Sequence, residues 1–268
     1  MTEEGIPNTT DDEAKATETL VQDTGTAAAT AAAQARGVDP DEAAAQARGV
    51  DLDEAAFFWQ AKASAYELLA FSFRYPGNEL VEALMSGEYA EAAEEIAEAL
   101  GIEAPAGLAQ ALEGYAKADA EELFHTLRAE ATRLFVGAPE PAVSPYEGVW
   151  RAIDEGVQPL LFVNPHSMAV ERAMKAIGLG RPEGTNEPLD HVSAELEFLL
   201  YLSLLEAGTI EPQEHVEAPE AGWAASLEAF NTDHVLVWLP RFADAVIEKA
   251  REPFYREAAA LLKAIITA

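Results

Sequence analysis

The stretch Glu187-Pro188-Leu189-Asp190-His191-Val192-Ser193-Ala194-Glu195-Leu196-Glu197-Phe198-Leu199-Leu200 governs how the rest of the chain is read. Pro188 can take the first helical position, where its missing N–H costs nothing. Asp190 then falls in the first turn, where a carboxylate meets the positive end of the helix dipole. Leu189, Val192, Leu196, Leu199 and Leu200 follow at three- and four-residue steps, which predicts a helix with one apolar face. His191 and Glu195 are four apart and share a different face. On spacing alone, Asp190 reads as a dipole partner or cap, and His191 as a residue that closes the preceding loop.

The same helical period continues on both sides. Trp59, Ala63, Tyr66, Leu69, Ala70 and Phe73 line one face of a helix that ends before Pro76-Gly77. Further helices are expected over Glu79–Met85, Tyr89–Leu100 and Pro105–Lys117. Ala120–Val136 carries a wide apolar stripe through Leu123, Leu127, Leu134 and Phe135, and Gly137 stops it. Pro165–Ile177, Glu220–Phe230, Asp233–Arg251 and Phe254–Ile266 complete the set, with Thr232 or Asp233 as a cap. Between Gly137 and Trp150 the residues Pro139, Pro141 and Pro145 forbid a helix, yet Val143, Tyr146 and Trp150 are too apolar for a free linker. That segment is expected to be an ordered loop packed on the core, a common place for function. No sustained period-two alternation occurs, so the fold class is all-α, a bundle of about ten helices.

Residues 1–54 differ from the rest: they are rich in Ala, Thr, Glu and Asp, and lack aromatic residues until the helical part begins near Ala55. A unit of twelve residues starting at Ala31 recurs from Ala43, with Leu52 replacing Pro40. Two copies fall short of the roughly three that a solenoid needs. The expectation is a disordered, acidic, Ala-rich tail preceding the bundle.

Composition removes several function classes. The chain has 268 residues, 49% of them hydrophobic, with 48 acidic against 17 basic residues and a net charge of -31. Such an excess argues against nucleic acid and against anionic membrane surfaces, and it suits cationic ligands. The scarcity of Lys beside abundant Glu and Asp also fits a salt-adapted source. There is no Cys, which excludes disulfides, thiol catalysis and Cys-ligated zinc. No basic region precedes an apolar run at the N-terminus and no stretch reaches the roughly 18 apolar residues of a span, so the chain reads as cytoplasmic and soluble.

Nucleotide motifs are weak. Gly178-Leu179-Gly180-Arg181-Pro182-Glu183-Gly184 follows a helix and has neither the GxGxxG spacing nor a GK[ST] ending. A metal site would need convergent ligands, but no HExxH and no second Glu-x-x-His occurs, and His125, His166, His215 and His234 stand alone on separate segments. Ser144 lacks the GxSxG elbow of a triad nucleophile.

Four blocks, taken in order from Ala55 to Ile266, resemble the TorD/DmsD-type redox-enzyme maturation chaperones, which are allied to the NarJ group. They are Trp59 to Pro76; Glu130 to Gly137 followed by Ser144-Pro145-Tyr146-Glu147; Glu187 to His191 running into Glu195-Leu196-Glu197-Phe198; and His234-x-x-x-Trp238-Leu239-Pro240 followed by Phe254-Tyr255. The third block is the most specific. Gly148 stands where the family often has Ser, Leu199 where Met is common, and Ala138 where Gly often precedes Pro.

The resemblance implies a helical chaperone without cofactor, metal or enzymatic activity. Its partners would be the twin-arginine leader and the apo form of a molybdenum-cofactor oxidoreductase of the DMSO/TMAO-reductase kind, held until cofactor insertion and export, with the export machinery as a further partner. It implies subdomains over about 55–164 and 188–268 joined by a hinge over about 178–190, as a monomer or a domain-swapped dimer. Asp190 and His191 would lie at the hinge and line a groove with Tyr146, Glu147 and Trp150, with Tyr66 and Glu195 completing the candidate set. Carboxylates can accept bidentate bonds from arginine, and apolar walls can bury a helical segment. Competing readings are a metal-dependent hydrolase or nucleotidase built on Asp190, His191 and Glu195, and a general helical assembly protein.

Overall fold

The computed structural model describes residues 52–159, 164–181 and 188–268, and the acidic tail expected over 1–54 lies almost wholly outside them. Among the described residues every regular element is a helix, as the period predicts. Helix α1 spans Leu52–Phe73, α2 Asn78–Ser86, α3 Glu88–Ala99 and α4 Leu108–Leu112, the last running into a 3₁₀ turn at Glu113–Lys117. Then come α5 Ala120–Ala131, α6 Glu147–Asp154, α7 Pro165–Ala176, α8 Val192–Glu206, α9 Trp223–Phe230, α10 Leu236–Lys249 and α11 Pro253–Ile266.

The core forms where α1, α5, α8, α10 and α11 bring large side chains together. Trp238, Phe242, Phe254, Tyr255, Leu69, Leu196 and Leu199 are fully enclosed there. Phe73 meets Phe242 edge-on at 5.4 Å, Phe135 stacks on Phe242 at 6.0 Å, and Tyr255 meets Phe135 at 5.7 Å. These contacts join the end of α1, the turn after α5 and both C-terminal helices. Aromatic pairs of this kind add about 0.5–1.5 kcal/mol each beyond their burial. Glu130 of α5 closes the same end of the bundle, with Arg133 on both oxygens and the Arg251 amide on Oε1 at 2.6 Å. Residues Phe57–Ala268 thereby make one compact unit.

Three local features depart from the period-based reading. The segment expected to be a loop as far as Trp150 turns helical at Glu147, giving α6. The prolines all lie upstream of that start, so none breaks it. Thr132–Val136 and Asn231–Val235 are π turns. The second keeps the backbone right-handed helical from Phe230 through Leu236, so neither Thr232 nor Asp233 acts as a cap between α9 and α10. Finally, α8 begins at Val192 rather than at Pro188, and its buried side chains go round more than one face. Helix α8 is a central element, and its polar residues Ser193, Glu195 and Ser203 are enclosed with its leucines.

Gly137 ends the first π turn at φ 33°, and a side chain there would meet the Glu140 carbonyl at 2.5 Å and Pro141 Cα at 2.6 Å. Only glycine fits so close to rigid backbone. No helix among the described residues is long and apolar enough to cross a membrane.

Candidate functional site

The candidate residues meet at the starts of α6 and α8. Tyr146 and His191 form an isolated antiparallel bridge. The Glu147 amide donates to the Asp190 carbonyl at 3.0 Å, and the Val192 amide donates to the Pro145 carbonyl at 2.9 Å. The two helices therefore start side by side, tied by backbone. Above the bridge the Tyr146 and His191 rings meet edge-on at 5.2 Å.

Asp190 is 1% exposed. Its Oδ2 accepts from the Gly148 amide at 2.9 Å and from the Ser167 hydroxyl at 2.6 Å. Asp190 does meet the positive end of a helix dipole, but the helix is α6 and not its own. Asn164 caps α7 by accepting from the His166 amide and donates at 2.7 Å to the Gly148 carbonyl, so the start of α7 joins the same junction. Burial pushes the Asp190 carboxyl above its ordinary range, against the pull of the Ser167 and Gly148 hydrogen bonds. The cap of α8 is His191, whose Nδ1 accepts from the Ser193 amide at 3.2 Å. An accepting Nδ1 places the proton of a neutral ring on Nε2.

Glu147 and Glu195 are both fully buried. Glu147 Oε2 lies 2.9 Å from His234 Nδ1, and its Oε1 lies 3.3 Å from Arg151 on the next turn. Glu195 Oε2 accepts from the Trp238 indole at 3.0 Å, while its Oε1 and Asp190 Oδ1 have no donor among the described residues. Burial first, then the charge of Glu147, raises the Glu195 carboxyl well above its usual range, which favours its protonated form. A protonated Glu195 is what makes a second buried carboxyl beside Glu147 tolerable.

The sequence set is thus brought together for Asp190, His191, Tyr146, Glu147 and Glu195. Trp150 sits one turn along α6, donates to the Ser144 carbonyl at 2.8 Å, and faces a neighbouring cleft of about 810 Å³ with Tyr146, Val136 and Ile153. Tyr66 is different: it is buried in the core on α1, its hydroxyl is pushed up to about 12 by burial and by Glu228, and it lines neither that cleft nor the one described next.

What solvent meets at the start of α8 is a second, largely apolar cleft of about 580 Å³. Leu179, Leu200, Leu204 and Tyr201 line it, and His191, Arg74 and Glu197 carry its ionisable groups. The three enclosed carboxylates do not line it. A bidentate contact with an incoming guanidinium requires access that Asp190 and Glu147 lack in this conformation.

Asp190, His191 and Glu195 do not form a metal centre: among the described residues no group of three His, Asp or Glu side chains has the geometry to hold an ion. Sequence reasoning missed His234, which is not alone but reaches Glu147, and it missed Ser167, Asn164 and Arg151. One signal for His234 was present. His234 and Trp238 are four apart, and both point to the same carboxyl pair.

Comparison with known proteins identifies the family. A family model described as the nitrate reductase delta subunit matches residues 82–244, and the chain belongs to this family, which includes the TorD-type chaperones. The chaperone protein TorD of Photobacterium profundum is 30% identical over 131 residues, covering 48% of this chain and 54% of that protein. A TorD chaperone of Vibrio cholerae is 30% identical over 143 residues, covering 52% and 59%. The chain therefore spans little more than half the length of the curated relatives it matches. A solved structure from Archaeoglobus fulgidus, assigned to redox enzyme maturation, overlays with a TM-score of 0.45 at 24% identity, covering 75% of this chain and 91% of that one.

Proposed function

We propose that the chain is a maturation chaperone and not an enzyme. It holds the apo form of a molybdenum-cofactor oxidoreductase by its twin-arginine leader, in the cytoplasm, until the cofactor has been inserted. Family membership supports the class, and the similarity to TorD chaperones supports the chaperone role. The observation that carries the leader is the open cleft beside His191, with largely apolar walls and the ionisable groups of Arg74, Glu197 and His191 in its lining. A leader has the matching chemistry: guanidinium groups followed by an apolar segment able to lie in a groove. Asp190, Glu147 and Glu195 act in this reading as the frame that fixes His191 and Tyr146, and the connector over about 178–190 serves as the hinge. Residues 182–187 of that connector lie outside the described residues. The net charge of -31 attracts a cationic leader over distances that salt shortens to about 8 Å at physiological strength. Titration of the full chain with a twin-arginine leader peptide and its Lys-Lys version tests the reading. Preference for the arginine peptide is expected; no binding, or equal binding of both, overturns it.

A further inference from the structure

Glu197 is the carboxylate that an arriving cation meets. It lies two residues beyond Glu195 on α8, its side chain is 43% exposed, and it lines the 580 Å³ cleft. It is already occupied by a guanidinium. Arg74, which follows the last residue of α1, donates to it through Nε at 2.9 Å, and its Nη2 lies 2.8 Å away in the same ion pair. Both contacts are to Oε1, and no side chain or amide of the described residues donates to Oε2. Among the described residues that line the cleft, Glu197 is the one acidic side chain, and Arg74 is the cation paired with it.

We propose that Glu197 is the acceptor for an arginine of a bound peptide, and that Arg74 is a resident stand-in which the peptide's guanidinium displaces. The inference rests on the leader-binding reading and names the contact that reading lacks. The occupant is a peptide with an arginine next to apolar side chains. Its arginine replaces Arg74 on Glu197, while its apolar residues lie against Leu179, Leu200, Leu204 and Met174. Charge complementarity selects this occupant: once Arg74 swings away, the cleft presents an unpaired carboxylate beside apolar walls. The exchange is energetically easy, because an exposed ion pair contributes little and the incoming group makes the same bonds. Arginine is favoured over lysine because its planar fork reaches both carboxylate oxygens, including the vacant Oε2.

Anisotropy titration of a fluorescent peptide carrying Arg-Arg and an apolar segment, beside its Lys-Lys version, tests this on the full chain. Arg74→Gln removes the competitor and should tighten the arginine peptide about threefold to fivefold. Glu197→Gln keeps the shape, removes the charge, and should weaken the arginine peptide about threefold to fivefold while levelling the two peptides. Both side chains are about half exposed, so both variants should keep the native helical circular dichroism. Wild-type preference for arginine that neither variant changes overturns the Glu197 assignment and leaves the leader reading intact. Weaker binding by Arg74→Gln makes Arg74 a direct contact and overturns the stand-in role. No peptide binding by any of the three proteins overturns both readings.

Discussion

Glu195 lies in the core with one oxygen on the Trp238 indole and Glu147 as a charged neighbour. Its raised carboxyl keeps, in the folded protein, a proton that the unfolded chain releases above about pH 4. Over that interval the folded state binds more protons, so this contribution to stability falls as pH rises. Glu195→Gln holds no titrating group but still offers an oxygen to Trp238. Its stability margin over wild type should widen from about pH 4 upward, read from urea midpoints at a series of pH values. A constant margin would show that Glu195 is not the titrating group. Gly148 gives a second prediction. A Cβ there would come within 2.6 Å of the Ser167 hydroxyl and 2.9 Å of Asp190 Oδ2. Gly148→Ala should cost about 1–3 kcal/mol in thermal or urea unfolding. Combined with Ser167→Ala, which vacates that space, the two losses should sum to more than the loss in the double variant. The sequence could mark Asp190 and Glu147 as functional candidates, but not their enclosure. Enclosure depends on Asn164 and Ser167 at the start of α7 and on His234, two distant segments without a shared motif.

At the level of elements, the helical period located nearly every helix, because apolar stripes are what the core selects. It failed where the backbone was committed elsewhere. Pro188–Asp190 suits a helix start by composition, yet the Asp190 carbonyl is taken by the Glu147 amide, so the helix waits until Val192 and the cap moves to His191. Helix α6 was hidden by the three prolines ahead of it, although Val149, Ala152 and Ile153 already had helical spacing. The π turns carry no readable signal, since their residues satisfy the α period on both sides. Because His191 caps α8, His191→Ala should lower stability by about 0.5–2 kcal/mol, whereas His191→Asn, which can still accept from the Ser193 amide, should stay near wild type. Equal losses in the two variants, measured by chemical unfolding, would mean that the ring and not the cap is what matters.

Across the whole molecule, the acidic excess opposes compaction, and salt relieves it. The melting temperature should therefore rise between dilute buffer and about 1 M KCl, where the screening length falls to about 3 Å. An unchanged melting temperature would show that local pairs such as Arg241–Asp154, bidentate at 2.7 Å, already absorb the repulsion. The same salt should slow capture of a cationic peptide, so stability and association rate are expected to move in opposite directions. The bridge between Tyr146 and His191 has a different kind of consequence. Its hydrogen bonds run between main-chain atoms of Pro145, Glu147, Asp190 and Val192, and any amino acid except proline can supply the amides it uses. Side chains on its outer side can drift over generations without loosening the frame beneath them. The side chain at position 146 can thus change in character while the same architecture is inherited.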